Sequence, residues 1–381
     1  MIRVGVIGTG YIGGVHIEAL KRIGGIKIVS ITDINKEFAG QTAEKYNIEK
    51  VAADYKEMIH DPDVDVIHNC TSNRVHYEIT KAALNEGKQV LSEKPLAMTL
   101  KEAEDLVETA EKKNAVTGVD FCYRYYPVVQ EMAVRIQRGD CGEVRLATGT
   151  WFQDWLSKET DYTWRLEKSE SGESNITADL GSHWFDLVQF TTGLKVKEVL
   201  GHFHTMIPER KKPKRQVMAF EKIDDVETET IKVEVEDYSS VLFTLSNGAP
   251  GSFTTSQVCT GRKSETAFEI YGSECGYAWN HKRSDELWIG QREKENEVLI
   301  ESPVLQDPTT ARYASLPAGH PMGYHDAVMN LFKDYYTAVE KGGDSGTGIS
   351  RPTFRTGYEE MKILDAILES VKKKTWAKVR D

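Results

Sequence analysis

Apolar residues in the first third of the chain fall into short β-branched runs, separated by segments with the apolar spacing of amphipathic helices. This alternation is typical of βαβ units that build a parallel sheet, and right-handed crossovers are expected between the strands. The runs predict strands at residues 4–7, 27–32, 64–69, 89–92 and 115–119. The intervening periodicity predicts helices at residues 35–46, 75–85 and 100–114. Thr99 can cap the third helix, with Glu102 three residues further on.

The pattern of apolar positions changes after Tyr126 and Pro127. One helix is predicted at residues 128–138, and β-branched and aromatic alternation bounded by Gly and Asn dominates the segment after it. The alternation predicts antiparallel strands at residues 143–152, 198–206, 231–235, 239–246, 251–260 and 266–271. Helical periodicity returns at residues 324–340 and 354–373, and the second of these helices ends in lysines that complement its C-terminal dipole.

These elements predict an α/β protein of two domains, as its length of 381 residues also favours. Residues 1–123 form the first, with a doubly wound parallel sheet. Residues 124–381 form an α+β domain with a mostly antiparallel sheet, and its C-terminal helix can pack back on the first domain.

Composition narrows the class of partner. A net charge of -11 disfavours nucleic acid and anionic membrane surfaces as main partners, so small molecules fit better. No run approaches the length of a membrane span, and the N-terminus lacks a signal-peptide pattern. We therefore expect a cytoplasmic protein.

The five cysteines are odd in number and scattered, without any C-x-x-C pair. This spacing argues against a disulfide framework and against structural zinc, and predicts reduced, mostly buried thiols. The cysteines are Cys70, Cys122, Cys141, Cys259 and Cys275.

A glycine-rich turn follows the first predicted strand and opens a helix. It reads Gly8-Thr9-Gly10-Tyr11-Ile12-Gly13, with glycines where a backbone must turn tightly and approach a pyrophosphate. Asp33 ends the second strand, where a carboxylate can accept hydrogen bonds from ribose hydroxyls, so NAD is predicted over NADP. Lys36 is weaker evidence for the 2′-phosphate of NADP, and the alternative is a glycine turn that binds nothing.

Glu93-Lys94-Pro95 ends a predicted strand, on the carboxyl edge where open α/β sheets bind ligands, and it belongs to a larger set of candidate residues. The set comprises Thr71-Ser72-Asn73 with His76, Glu93-Lys94-Pro95, and Asp179 with His183. Together with the glycine turn it resembles the Gfo/Idh/MocA family, named after glucose-fructose oxidoreductase and inositol dehydrogenase. The resemblance covers essentially the whole chain. Ser72 departs from the proline that the family often has in this turn.

The resemblance implies an N-terminal Rossmann domain, a C-terminal domain with a large open sheet, and a cleft that holds nicotinamide and substrate. It also implies homodimers or homotetramers built through that sheet. Lys94 should touch the substrate hydroxyl, and its bond to Pro95 can be cis. Three further residues match cofactor and substrate positions of the family: Arg124, Trp164 and Arg165.

Residue chemistry suggests how an alcohol would be oxidised. On a regular helix Asp179 and His183 share a face, beside a core-facing stripe of Leu180, Trp184, Leu187 and Thr191. Imidazole, with a reference pKa of ~6.5, suits removal of a hydroxyl proton. His183 is thus the predicted general base, Lys94 stabilises the developing alkoxide, and Asp179 orients the imidazole or binds a neighbouring hydroxyl. Lys94 itself remains an alternative base, and a hydrogen-bonded helix histidine is the structural alternative for His183.

Weaker candidates for substrate contact are Trp155, Tyr126 and His325. Aromatic rings such as those of Trp151, Trp155, Trp164 and Trp184 can stack on a sugar, but core packing explains each of them as well. Residues 210–215 form a basic run that is interpreted as a solvated loop, against binding of an anion or a subunit. No metal-ligand spacing is found in the sequence.

The predicted function is NAD-dependent transfer of a hydride between the nicotinamide and a hydroxyl-bearing carbon of a sugar, cyclitol or sugar derivative. One alternative is redox-assisted glycoside cleavage, in which transient oxidation allows elimination and the hydride then returns. The other is a non-catalytic protein that senses a nucleotide or sugar. The presence of Lys94, Asp179 and His183 argues against the sensor.

Overall fold

The computed structural model describes residues 1–215, 226–343 and 350–381. These residues divide into two compact units, each with its own large sheet. The first unit comprises Met1–Cys122 with Val328–Met361, and the second comprises Tyr123–Ala327 with Lys362–Asp381. A stretch near the C-terminus therefore belongs to the first unit.

The first unit contains a six-stranded sheet in which every strand pair is parallel, as predicted. Its strands are β1 (Ile2–Ile7), β2 (Ile26–Thr32), β3 (Lys50–Val51), β4 (Val66–Asn69), β5 (Gln89–Ser92) and β6 (Thr117–Val119), in the order β3-β2-β1-β4-β5-β6. This doubly wound order reverses between β1 and β4, where such sheets bind dinucleotides. Val4, Ile67 and Leu91 are fully buried, as expected for strands covered on both faces.

Helices connect these strands and begin at recognisable caps. They are α1 (Tyr11–Lys21), α2 (Lys36–Tyr46), α3 (Tyr55–His60), α4 (Asn73–Asn85) and α5 (Leu100–Lys112). The Asn35 side chain accepts hydrogen bonds from two backbone N–H groups of α2. The predicted capping box between Thr99 and Glu102 is confirmed at the start of α5. The short α3 and β3 were not predicted, because such brief elements carry little periodicity.

The second unit is a nine-stranded sheet with helices and a separate two-stranded sheet. Its helices are α6 (Pro127–Arg138), α7 (Lys168–Ser171) and α8 (Ser182–Thr192), and two more, α9 (Tyr324–Lys341) and α10 (Phe354–Lys373), run across the unit boundaries. Its strands are β7 (Val144–Phe152), β8 (Val196–His204), β9 (Glu209–Pro213), β10 (Thr228–Lys232), β11 (Tyr238–Leu245), β12 (Pro250–Ser256), β13 (Glu265–Gly272), β14 (Gly276–Asn280), β15 (Glu286–Gly290), β16 (Glu297–Ile300) and β17 (Ala377–Lys378).

The nine-stranded sheet has the order β16-β15-β14-β13-β7-β12-β11-β8-β17 and is largely antiparallel, as predicted. One pair, β7 with β12, is parallel. Helix α8 packs on one face, where Trp184 stacks on Phe253 with ring centroids 4.5 Å apart. The predicted core stripe is confirmed, since Leu180 just before α8 and Trp184, Leu187 and Thr191 within it are all buried.

Residues 210–215 form no solvated loop, which corrects the interpretation from sequence. Most of them belong to β9, which pairs with β10. The Arg210 guanidinium is buried and donates to the carbonyl oxygens of Leu156 and Lys158, each at 2.8 Å. A charged side chain is buried here because it satisfies several backbone acceptors at once.

The three cysteines Cys70, Cys122 and Cys141 are buried, and all five are free thiols, as predicted. Within the described ranges, none of the helices combines the length and the apolar character that crossing a membrane requires.

Candidate active site

The turn between β1 and α1 has the geometry of a dinucleotide site. Gly8 has φ of +91°, which favours glycine. A Cβ on Gly13 would lie 2.0 Å from the Gly8 carbonyl oxygen, whereas a Cβ on Gly10 would meet no protein atom within 4 Å. Gly13 therefore permits close packing of α1 on the turn, and open space remains over Gly10 for a pyrophosphate. Tyr11 and Ile12 follow in the first turn of α1, and the N–H groups at a helix N-terminus favour an anion.

Asp33 lies directly after β2 and is held by backbone donors. Its carboxylate accepts hydrogen bonds from the N–H groups of Thr9 at 2.7 Å and Asn35 at 2.8 Å. The Lys36 ammonium donates to the carbonyl oxygens of Asp33 and Ala53. The carboxylate is thus oriented beside the glycine turn, and the lysine is engaged by the backbone. These residues fit the adenosine half of NAD.

The loop after β4 is fixed by His76. This buried side chain has Nδ1 2.8 Å from the Pro95 carbonyl oxygen and Nε2 3.0 Å from that of Thr71. Thr71 donates its hydroxyl to the Asn69 side chain at 2.7 Å, and Asn73 starts α4 as a buried residue. His76 therefore ties the loop after β4 to the loop after β5 and lies beneath both.

Glu93, Lys94 and Pro95 follow β5 at the carboxyl edge of the sheet. The Lys94–Pro95 bond is cis, as the resemblance implied. Lys94 is half-buried, and its backbone N–H donates to Glu93 Oε2 at 3.2 Å. The structure thus places the predicted lysine on the same edge as the glycine turn and Asp33.

A buried ionisable cluster, formed by His16, Glu93, Asp120 and His68, lies behind Lys94. His16 Nε2 is 3.1 Å from Glu93 Oε1 and 3.2 Å from Asp120 Oδ2, and its Nδ1 is 2.9 Å from His68 Nδ1. His68 Nε2 is 2.7 Å from the Tyr336 hydroxyl. His16, Glu93 and Asp120 bring their ligand atoms within 4.8 Å of one another, close enough for a metal ion.

The cluster shifts the pKa of its members in opposite directions. Burial opposes the charged form of His16, but the side chains of Cys70, Asp120 and Glu93 outweigh it and raise the His16 pKa well above 6.5. Burial and the positive charge on His16 lower the pKa of His68 well below the usual value. Burial and the Asp120 carboxylate raise the pKa of Glu93, against His16 and Lys94. These surroundings therefore favour the protonated form of His16 and the neutral form of His68.

In the second unit, Asp179 and His183 do not share one regular α-helix, which corrects the prediction: His183 lies in α8, and Asp179 precedes this helix. Residues Thr177–Gly181 form a π-helical turn that leads into α8. Such turns are rare and are often found at functional sites. Arg165 Nε lies 3.4 Å from Asp179 Oδ1, and the Arg165 guanidinium stacks on the Trp164 ring at 4.4 Å. Three predicted site residues are thus brought together in this unit.

A buried carboxylate fixes the start of the π-helical turn. Glu236 accepts hydrogen bonds from the Ser174 hydroxyl at 2.6 Å and from the N–H groups of Asn175 and Thr177. Burial raises the Glu236 pKa, although these donors oppose the shift. These hydrogen bonds cap the start of the turn and favour the conformation that presents Asp179.

Aromatic rings surround His183. The Tyr123 ring lies edge-on at 5.0 Å between centroids, and Trp151 lies at 5.8 Å. Tyr126 is almost fully buried, with its hydroxyl 2.8 Å from His281 Nε2. His281 Nδ1 faces the Ser264 carbonyl oxygen, so Nε2 is the acceptor and the Tyr126 hydroxyl is the donor. Tyr126 therefore helps to build the wall around Tyr123 and His183.

The other candidates have the following surroundings. Arg124 is buried in an ion pair with Asp186, in which Arg124 Nε donates at 2.6 Å, and it stacks on Phe190. Trp155 is 38% exposed, and His325 is half-buried in the first turn of α9. Trp151 and Trp184 belong to the core.

Sequence reasoning missed His16, His68, Asp120, Tyr123 and His281. His68 and Asp120 lie in or just after short strands, where no spacing distinguishes them from core residues. His16 follows the glycine turn by one helical turn, and this position within α1 was the one available signal.

Comparisons with known proteins agree with this geometry. Residues 2–121 match the family described as an oxidoreductase family with an NAD-binding Rossmann fold, and residues 129–278 match the GFO/IDH/MocA C-terminal domain. The chain is 30% identical to levoglucosan dehydrogenase of Pseudarthrobacter phenanthrenivorans, over 99% of this chain and 98% of the relative.

Two further relatives extend the comparison. The solved complex of levoglucosan dehydrogenase with NADH and levoglucosan has a TM-score of 0.88 at 28% identity, covering 100% of both chains. Myo-inositol 2-dehydrogenase of Thermotoga maritima is 29% identical over 55% of this chain and 60% of its own length. Since both domains match in order and over nearly full length, the chain belongs to the Gfo/Idh/MocA family of NAD-dependent oxidoreductases.

Proposed function

We propose that this chain oxidises a secondary hydroxyl of a neutral monosaccharide, anhydro sugar or cyclitol, with NAD as hydride acceptor. The observation that carries the proposal is Lys94 at the carboxyl edge of a sheet that also presents the glycine turn and Asp33. Levoglucosan dehydrogenase, similar over the whole chain, supports the substrate class.

The residues divide the chemistry between them. When bound, NAD would supply the acceptor for the hydride that leaves the reacting carbon. The proposed role of His183 is to take the hydroxyl proton on its imidazole, and that of the Lys94 ammonium is to stabilise the developing alkoxide charge. Asp179, held by Arg165, either orients the imidazole or accepts a hydrogen bond from the neighbouring substrate hydroxyl.

In this proposal Gly8, Gly10, Tyr11, Ile12, Gly13 and Asp33 hold the adenosine and pyrophosphate. The resemblance to the family assigns further cofactor or substrate contacts to Thr71, Asn73, Glu93, Lys94, Arg124, Trp164 and Arg165. His76 acts through the two loops that it joins. Tyr126 acts through the aromatic wall, and Trp155 and His325 contact the sugar.

The deciding experiment follows NADH formation by purified protein with NAD and a panel of levoglucosan, other neutral sugars, cyclitols and glycosides. We expect net NADH from a free polyol. Lys94→Ala and His183→Ala should each lower kcat by about 10²–10⁴-fold while NADH affinity stays within about twofold. Exposed Lys101→Ala and His60→Ala are the matched controls.

Normal turnover in both Lys94→Ala and His183→Ala would contradict the assignment of roles. Cleaved glycoside without net NADH would replace the dehydrogenase by redox-assisted cleavage. Binding of NADH with no turnover on any substrate class would favour a sensor.

The open face of the nine-stranded sheet supports a homodimer or homotetramer as the working form. One row of outward side chains crosses eight strands and is only partly buried. It comprises Leu200, Leu242, Ser252, Thr148, Glu269, Ala278, Trp288 and Val298. Small and apolar side chains on a broad surface favour packing against a second copy.

Free thiols and a nicotinamide cofactor both suit the reducing cytoplasm, which is the location that we propose for this chain.

A further inference from the structure

Two buried carboxylates share one histidine behind the proposed catalytic lysine. Glu93 follows β5, Asp120 follows β6, and both point at His16 Nε2 from α1. His16 is fully buried, and Glu93 and Asp120 are 6% and 1% exposed. Two ionised carboxylates at this distance repel each other in a low-dielectric interior, so a positive charge between them is needed.

The contacts of the other ring nitrogen show where the protons are. If His16 is an imidazolium, its Nδ1–H donates to His68 Nδ1, which must then be an acceptor. His68 is then neutral, with its proton on Nε2 facing the Tyr336 hydroxyl at 2.7 Å. The ring of Phe332 packs edge-on against both histidines and keeps water away. A neutral His68 therefore adds no second positive charge to the cluster.

The Glu93 carboxylate links the positive charge on His16 to the backbone of Lys94. Oε1 faces His16, and Oε2 accepts the backbone N–H of Lys94. An ionised carboxylate accepts such a bond more strongly than a protonated one. The backbone conformation at Lys94 therefore depends on whether the Glu93 carboxylate remains ionised.

We infer that His16 is a positioning residue for Lys94. His16 is a buried imidazolium that bridges Glu93 and Asp120, and it thereby keeps the Glu93 carboxylate hydrogen-bonded to the backbone N–H of Lys94. The inference rests on the proposed function. Besides Glu93 and Asp120, the titratable groups that face His16 are His68 and the Cys70 thiol, with Tyr336 beyond His68 and Lys94 beyond Glu93.

Replacement of the charge tests this role. His16→Gln keeps an amide donor but leaves two carboxylates without a cation, so that one of them takes up a proton. We expect kcat to fall by about 10- to 100-fold because Lys94 is displaced, with NADH affinity within about twofold of wild type.

A second substitution should restore the function. In His16→Gln with Asp120→Asn, a single carboxylate remains and the amide introduced at position 120 can donate to it, so most of the lost kcat should return. Phe332→Leu is the matched control, since it removes packing from His16 without altering charge. Its kcat should stay within about threefold of wild type. Equal losses in His16→Gln and Phe332→Leu, or no recovery in the double variant, would overturn the inference.

The charge itself is measurable without substrate. Nitrogen NMR of ¹⁵N-histidine-labelled holoenzyme should show His16 doubly protonated at neutral pH and His68 protonated on Nε2 alone. A neutral His16, or one zinc per chain by elemental analysis, would overturn the inference, because a metal would occupy the ring nitrogen. Failure of the proposed function would show as absent turnover in the wild-type protein. Failure of this inference would show as normal turnover in His16→Gln.

Discussion

At the scale of single residues, a substitution at Gly10 should affect cofactor binding, whereas one at Gly13 should affect folding. A methyl group on Gly10 would meet no protein atom, whereas one on Gly13 would collide with the Gly8 carbonyl. We therefore expect Gly10→Ala to fold with a wild-type melting temperature but to bind NADH at least about tenfold more weakly, because the backbone can no longer approach the pyrophosphate. Gly13→Ala should lose thermal stability. Thermal melts and NADH fluorescence titrations measure both.

Wild-type NADH affinity in Gly10→Ala would show that the pyrophosphate does not cross this turn. A stable Gly13→Ala would show that α1 can shift to accommodate the added carbon.

Asp33 should set the preference between the two nicotinamide cofactors. Asp33→Ala removes an oriented carboxylate, and the net loss of one charged hydrogen bond to a ribose hydroxyl, about 1.5–3 kcal/mol, should lower NAD affinity by roughly 10- to 100-fold. The affinity for NADP should rise relative to the affinity for NAD, because the repulsion between the carboxylate and the 2′-phosphate is lost. The ratio of kcat/KM for the two cofactors checks this.

Lys36→Met is the control for Asp33→Ala. Its ammonium donates to backbone carbonyls in the structure, so its loss should change the cofactor ratio little. An unchanged ratio in Asp33→Ala would place the selectivity elsewhere.

Site residues that belong to a short sequence motif could be predicted. Residues that are distant in sequence and meet only in the folded structure could not. Gly8 to Gly13, Asp33 and Lys94 stand in motifs whose spacing carries their chemistry. His16 lies 77 residues from Glu93 and 104 from Asp120, and only the parallel order of the strands brings them together. No spacing rule reaches across such distances.

At the scale of elements, Arg210 fastens β9 to the segment that carries Trp155. Its guanidinium satisfies the carbonyls of Leu156 and Lys158 and lies 3.6 Å from Asp237. Arg210→Met leaves these buried groups without their partner and should destabilise the second unit by about 2–4 kcal/mol. Urea unfolding and faster proteolysis at residues 156–161 would report the loss.

The neighbouring residue supplies the control for Arg210→Met. Lys211 is bonded at the surface to Thr230, so Lys211→Met should change stability by less than about 0.5 kcal/mol. Equal effects of the two substitutions would refute the structural role of Arg210.

Long periodic elements were predicted better than short ones. Helix α10 was predicted over the residues that it occupies, Phe354–Lys373, because twenty residues of helical spacing leave little ambiguity. Strands β14 to β16, each of five residues or fewer, were missed. The π-helical turn before α8 also escaped prediction, because tertiary anchoring by Glu236 accompanies it and apolar spacing does not report such contacts.

At the scale of the whole molecule, the outward face of the nine-stranded sheet predicts self-association. Leu242 lies on β11 between β8 and β12 and is 47% exposed, with Leu200 opposite. Leu242→Glu would place a charge in the middle of a face that packs on a second copy, and desolvating it would cost several kcal/mol. We expect light scattering after size exclusion to show a dimer or tetramer for the wild type and monomers for Leu242→Glu. Leu305→Glu, a change at a leucine that is 56% exposed outside the sheet, should leave the oligomer intact. A monomeric wild type, or dissociation of both variants alike, would contradict assembly through this face.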